Sequence, residues 1–268
     1  MRGHLRPRLR PHVLARGVDG MNGVLSFFGA PVVMLARTVR ASTRDGVPWR
    51  ESLAQLHELG GRSVWLVMSG MAFFGAVLVT IANSQARRFV GNVAVLGPAY
   101  FELLIRELGP AVSALLTASR AGAAHAAELS TMSVNEQVEA LEMSAGDPYA
   151  DLVAPRVFAG VMGVPLLCIL GTIAATLSAA AVAQFAFGVD GRAFMDPRYV
   201  DGWDLLAALL KAAGCGLYIP LAAAVAGLKA RGGAEAVGEA TTDGVVAASL
   251  GCLLIDLAVS LAFQLLRL

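Results

Sequence analysis

Apolar residues run along this chain in long blocks, and polar residues interrupt them in short, charged stretches. Val64–Ala82 (VWLVMSGMAFFGAVLVTIA) carries no charge at all. At a rise of about 1.5 Å per residue, roughly 20 such residues cross the hydrocarbon layer of a bilayer. The pattern predicts four further spans, at Val93–Ala118, Phe158–Val182, Leu205–Leu228 and Val245–Leu266. The second holds Glu102, Arg106 and Glu107, with Pro98 and Pro110 predicting kinks. The fourth is expected to be broken by Gly214, Gly216 and Pro220, and the fifth contains Asp256. Gly70 and Gly75 in the first span would let another helix approach closely. Arg87, Arg88 and Asn92 predict a turn at the far surface. Ala183–Asp204, with Asp190, Gly191, Asp196 and Pro197, reads as a polar loop, and Lys229–Gly244 as a Gly-rich one.

Ahead of these spans, Met21–Leu35 is apolar but too short to cross, and Arg37, Arg40 and Arg44 follow it. It predicts a helix lying at the membrane surface with arginines at the headgroups, the alternative being a plain cytoplasmic linker. Residues 1–20 are Arg-rich and include Pro7 and Pro11; Met21 is an alternative start. The expected architecture is an all-α membrane protein. Residues 1–62 form a cytoplasmic N-terminus with the interfacial helix, and residues 63–268 a five-helix transmembrane domain. Arg37, Arg40, Arg44, Arg50 and Arg62 precede the first span and place the N-terminus in the cytoplasm. Five crossings then put the C-terminus outside and the 120–151 segment inside, although Arg87, Arg88, Arg192 and Arg198 sit in the outer loops.

Composition agrees. Of 268 residues, 56% are hydrophobic and 15% charged, against about 25% charged in soluble domains, and mean hydropathy is +0.64. A net charge of +1 leaves no basic face outside the N-terminus, which argues against a nucleic-acid partner. Cys168, Cys215 and Cys252 stand alone in apolar runs and read as small buried hydrophobes. His4, His12, His57 and His125 are scattered, so no metal site is expected.

Arg120–Asp151 is too polar to span. Ser133-Val134-Asn135-Glu136 matches a capping box, predicting a helix that starts there. Val134, Val138, Leu141 and Ala145 give it a narrow apolar stripe, with Glu136, Glu139 and Glu142 off the stripe. Gly146 and Asp147-Pro148 should stop it. Upstream, Ala121–Met132 is small-residue-rich and expected to be helical, with Glu128 its only acid. The acids are open to three readings: catalytic groups, a solvated face, or a surface that docks on a partner. No nucleophile, metal set or phosphate cradle stands nearby to support the first.

Arg106-Glu107-Leu108-Gly109-Pro110, Ala114-Leu115-Leu116, Arg120-Ala121-Gly122, Ala127-Glu128-Leu129, Met132, Glu136-Gln137, Ala140-Leu141, Met143, Asp147-Pro148 and Pro155-Arg156 resemble, in order and spacing, the MlaE family. These are permease subunits of ABC transporters that move lipids between bacterial membranes. The likeness extends more loosely over residues 21–266, including Gly232 to Thr242. Ser130-Thr131 replaces a more usual Gly-containing pair, and Ile81–Leu96 matches poorly. The resemblance implies a bacterial inner-membrane protein in which residues 120–148 hold a coupling helix that seats in a separate ATPase. It assigns Arg120, Glu128, Met132, Glu136, Glu139 and Leu141 to that contact. It further implies a homodimer with a lipid pocket between the copies, opening toward a periplasmic MCE-domain subunit. Phospholipid is the family default, with sterols or fatty acids linked to related permeases.

Charges inside a bilayer cost about 2.5–3.5 kcal/mol each on insertion scales, so they persist where paired or facing a polar cavity. Glu102 and Arg106 are four apart and expected to pair on one face. Glu107 should face elsewhere, with Lys211 its partner by elimination, and Asp256 has no obvious mate. Such groups either lock helices together or, as the resemblance favours, line a pocket for a lipid headgroup: Glu102, Arg106, Glu107, Lys211 and Asp256. The chain holds no G-x-x-x-x-G-K-[ST] motif, so ATP and Mg are expected on the partner ATPase, with no cofactor here. The competing functions are a membrane-embedded lipid-modifying enzyme using Glu102, Glu107 or Asp256, an ion-coupled carrier, for which no inverted repeat is found, and a purely structural subunit.

Overall fold

The structure, a computed structural model, describes residues 20–89 and 97–266. The Arg-rich residues 1–19 and Asn92 lie outside these, whereas Arg87 and Arg88, expected in a turn, are helical, because the first long helix runs on to Phe89. Among the described residues the elements are helices, without strands. Four are long and apolar enough to cross a membrane: Trp49–Gln85, Tyr149–Phe187, Gly202–Leu228 and Ala234–Leu266.

Helix α1 (Gly20–Asp45) is longer than the expected Met21–Leu35 segment and carries Arg37, Arg40 and Arg44 within it. It buries Pro31, Thr38 and Ala41 while Val32, Val33 and Val39 stay exposed. Arg37 Nη1 donates to the Tyr149 hydroxyl (2.9 Å) and its guanidinium lies 5.7 Å from that ring's centre, tying α1 to the bundle. Helix α2 (Trp49–Phe89) prolongs the first span at both ends. Its hydroxyls are satisfied internally: Ser69 Oγ donates to the Trp65 carbonyl (2.7 Å) and Thr80 Oγ1 to that of Ala76 (2.8 Å). This is how an isolated polar side chain is tolerated beside lipid.

The second expected span is not one apolar helix. It is a continuous helical path of α3 (Gly97–Leu103), a π turn (Leu104–Leu108), α4 (Gly109–Thr117), a second π turn (Ala118–Gly122) and α5 (Ala123–Val134). Proline is the physical cause of the first irregularity. Pro110 has no N–H to give the carbonyl four residues back, that of Arg106, and the Gly109 N–H reaches five residues back to Leu104.

The predicted capping box at Ser133 does not form. Helix α5 runs through Ser133 to Val134, Glu136 takes a left-handed conformation (φ 59°), and α6 (Gln137–Met143) begins after it. The Ser133 hydroxyl is drawn away instead, donating to the Ala230 carbonyl (3.1 Å) and accepting from Arg231 Nη1 (2.5 Å). The stop signal does operate. Gly146 and Asp147 are non-helical, and Asp147 Oδ1 accepts from the Tyr149 N–H (2.9 Å) at the next helical entry. A π turn (Tyr149–Val153) leads into α7 (Ala154–Phe187), which ends on Gly188 at φ 66°. In the following loop, the short 3-10 turn Gly191–Met195 plugs the bundle with Phe194, edge-on to Tyr100 at 5.5 Å.

Helix α8 (Gly202–Gly227) is not broken by Gly214, Gly216 or Pro220. Pro220 releases the carbonyl of Gly216, and that carbonyl lies against Gly160 of α7; a methyl group on Gly160 would sit 2.1 Å from it. Gly216 and Gly160 therefore form a reciprocal close approach of two helices, small residue against small residue. Gly75 of α2 meets the Ala175 carbonyl of α7 in the same way (2.3 Å to a built methyl). The expected Gly-rich loop shrinks to residues 228–233, because α9 (Ala234–Leu266) starts early. Thr241 and Thr242 return their hydroxyls to the Val237 and Gly238 carbonyls, and Gly244 packs on Ala126. In order across the bundle, α2 lies along α7, α7 on α8 and α8 on α9. The outward faces are apolar, as Leu166, Ile173 and Leu177 on α7 and Leu253, Leu257 and Leu261 on α9 illustrate.

Candidate functional site

Two groups of polar residues stand out, one at each end of the bundle. The first lies among the π turn at 104–108, the first half of α8 and the last third of α9. Lys211 is its centre, 1% exposed. Its ammonium donates to Glu107 Oε2 (2.5 Å) and to the Arg106 carbonyl (3.0 Å), the same carbonyl that Pro110 leaves without its helical donor. A buried lysine requires such partners. Asp256 Oδ1 stands 3.5 Å from the Lys211 ammonium, a longer ion pair than that with Glu107. Ser260 Oγ bridges from α9, 2.8 Å from Glu107 Oε2 and 2.9 Å from the Asp256 carbonyl.

Arg106 completes the cluster. Its Nε lies 3.2 Å from Glu107 Oε1, its Nη1 3.9 Å from Asp204 Oδ1, and its Nη2 donates to Gln264 Oε1 (3.1 Å). Two expectations are thereby corrected. Arg106 does not pair with Glu102, which makes no ion pair among the described residues. The π turn instead sets Arg106 and Glu107 side by side rather than on different faces. Asp256, expected to lack a mate, has Lys211. The Lys211–Glu107 pair is where elimination placed it. Altogether two cations face three carboxylates, and Asp204 also anchors its own helix end by accepting from the Asp201 N–H (2.9 Å).

Asp204, Ser260 and Gln264 escaped the sequence reading. A signal existed for two of them: Asp256, Ser260 and Gln264 recur at every fourth residue, one polar stripe down an otherwise leucine-rich helix.

At the opposite end, α5 and α6 form an elbow. Its predicted docking residues do not share one surface. Glu128 Oε2 is clamped to Arg156 Nη2 (2.8 Å), and Arg156, 4% exposed, also donates to the Leu152 carbonyl. Glu139 Oε1 lies 3.5 Å from Arg231 Nη2, tying α6 to the turn between α8 and α9. Met132 packs half-buried against the cluster around Leu129 and Leu221. Arg120 and Glu136 are exposed, and Leu141 is half-exposed. Helix α6 buries none of its residues, and Met143 is 84% exposed. Arg156 entered the sequence reading only as part of the Pro155-Arg156 motif, and its pairing with Glu128, like that of Arg231 with Glu139, was not foreseen because the partners lie 28 and 92 residues apart.

The chain matches the permease MlaE family over residues 52–262. It belongs to that family. It is 34% identical over 210 residues to the intermembrane phospholipid transport system permease protein MlaE of Haemophilus influenzae, covering 75% of this chain and 78% of that one. A probable ABC transporter permease protein of Rickettsia felis is 34% identical over 205 residues, covering 74% and 77%. The chloroplastic protein TRIGALACTOSYLDIACYLGLYCEROL 1 of Arabidopsis thaliana is 31% identical over 238 residues, covering 86% of this chain and 66% of the plant protein. As a member of the MlaE permeases the chain is a multi-pass membrane transport subunit, not an enzyme. The carboxylates of the cluster are accordingly read as charge partners rather than as acid and base.

Proposed function

We propose that this MlaE-family permease moves phospholipid, or a related lipid, between the inner and outer membranes of a bacterium, with the Lys211 cluster forming the polar rim of its lipid pocket. The observation that carries the reading is the cluster itself. Five ionisable groups are gathered between apolar helices, where a charge persists only if paired or facing a polar cavity. The cluster is not sealed: the Arg106 and Glu107 side chains stay 18% and 28% exposed, open on one side to a headgroup. Arg106 and Lys211 suit a headgroup phosphate, and Asp256 and Glu107 suit a headgroup amine or hydroxyl. The Haemophilus relative's name, an intermembrane phospholipid transport system permease, supports the substrate class.

In this reading the N-terminus and the α5–α6 elbow are cytoplasmic, and the C-terminus and the cluster face the periplasm. The working unit pairs two copies of the chain with a separate ATPase, which holds ATP and Mg, and a periplasmic MCE-domain subunit. The unburied α6, with its half-exposed Val138 and Leu141 and exposed Met143, supplies the face that the ATPase grips. ATP binding would move the elbow, and the helical path from α5 back to Arg106 would carry that motion to the pocket. Introducing a charge on that face of α6, as Leu141→Glu or Val138→Glu, is expected to abolish co-purification of the ATPase while leaving the chain folded. Undiminished association would refute the docking role.

A further inference from the structure

A recess of about 240 Å³ opens between α2 and α5, at the end of the bundle away from the Lys211 cluster. Its walls include Glu58, Arg62, Arg120, His125 and Glu128. Their charges are unevenly spent. Glu58 is already paired with Arg62 along α2, and Glu128 with the buried Arg156. Arg120 makes no ion pair among the described residues, so the recess presents one uncommitted guanidinium. His125 is 7% exposed, and its Nδ1 has no hydrogen-bond partner. A buried ring nitrogen without a partner is costly, and His125 is among the residues that line the recess.

Depth supplies the ligand class. The uncharged stretch of α2 begins at Val64, and Trp65, 78% exposed, marks the edge where aromatic rings favour the bilayer interface. Arg62 and the α2 residues of the recess precede that stretch, so a bilayer crossed by Val64–Ala82 would set them near the level of lipid phosphates. A phosphate is anionic, offers several acceptor oxygens, and matches a guanidinium fork.

We propose that the recess between α2 and α5 is a phosphate-binding site, with Arg120 donating to the phosphate and His125 Nδ1–H donating a second hydrogen bond. It is separate from the transport cluster and does not rest on the function proposed above. The phosphate belongs either to a lipid headgroup at the membrane surface or to a soluble anion.

The test follows the ring resonances of His125 in histidine-labelled full-length protein in neutral-detergent micelles, with His125→Gln giving the assignment. Phosphatidylglycerol is titrated in, beside diacylglycerol, which has the same chains and no phosphate, and inorganic phosphate. Saturable movement with phosphatidylglycerol, none with diacylglycerol, and about tenfold weaker binding in Arg120→Ala are the expected results for a headgroup site. Equal movement with inorganic phosphate alone keeps the phosphate site and assigns it to a soluble anion. Silence towards both phosphates, a response to diacylglycerol as large as to phosphatidylglycerol, or unchanged affinity in Arg120→Ala overturns the proposal. Arg120 is exposed, so its truncation is not expected to unfold the chain.

Discussion

Lys211 and His125 show how differently two buried titratable side chains can be accommodated. Removing the Lys211 ammonium, as in Lys211→Met, leaves Glu107 and Asp256 facing each other with only Arg106 nearby. Breaking one side of a buried pair typically costs about 3–5 kcal/mol, so a large fall in the thermal unfolding midpoint in detergent is expected. Glu107→Gln should cost less, because its amide oxygen still accepts from Lys211 and Ser260. His125 lies beyond the spans and is held neutral. Burial is the main cause, the nearby Arg156 adds to it, Glu128 opposes it, and the imidazole is pushed down to about 4. A depressed histidine destabilises the fold as pH falls. Above about 6.5 both states are neutral; between there and about 4 only the unfolded chain takes the proton. Stability measured from pH 7 down to pH 4 should therefore drop by up to about 3 kcal/mol, and His125→Gln should flatten that slope. Of these residues, the Lys211–Glu107 pair was legible in the sequence by elimination. The Asp256 and Asp204 contacts were not, since they depend on how α9 and the 104–108 π turn sit against α8.

Elements were legible where one periodicity acted alone and illegible where tertiary contacts competed with it. Spans one, three, four and five follow from apolar length, and each proves longer at one or both ends. Helices continue past the bilayer edge for as long as their polar ends find packing, as α9 does on α5. Span two was expected as one helix kinked at its prolines and is instead a path with two π turns; at the first of them the Lys211 ammonium takes the Arg106 carbonyl that Pro110 cannot serve. The capping box at Ser133 failed for the same kind of reason: Ala230 and Arg231 claim its hydroxyl. Two consequences are measurable by thermal unfolding. Gly160→Ala or Gly216→Ala places a methyl about 2 Å from a facing backbone carbonyl and should strongly destabilise α7 against α8, whereas Gly61→Ala, with nothing within 4 Å, should be neutral or mildly stabilising. Glu136→Gly relieves a left-handed non-glycine residue and should add about 1 kcal/mol.

The whole molecule joins two polar ends through one irregular helical path. Charged groups cluster where α8 begins and α9 ends; the α5–α6 elbow sits at the other end; Pro110 and two π turns lie on the route between them. Such bulges are places where a helix can shift register without losing its backbone bonds. This layout fits a subunit that receives motion at one end and handles lipid at the other. The most direct measurement is ATP-driven phospholipid transfer by the complex of permease, ATPase and MCE subunit reconstituted in liposomes, comparing the unaltered chain with Glu107→Ala and Lys211→Ala, each first shown to assemble with the ATPase. Transfer reduced at least tenfold in both variants, with assembly intact, is the predicted result; transfer at the unaltered rate in both would contradict a lipid-handling role for the cluster.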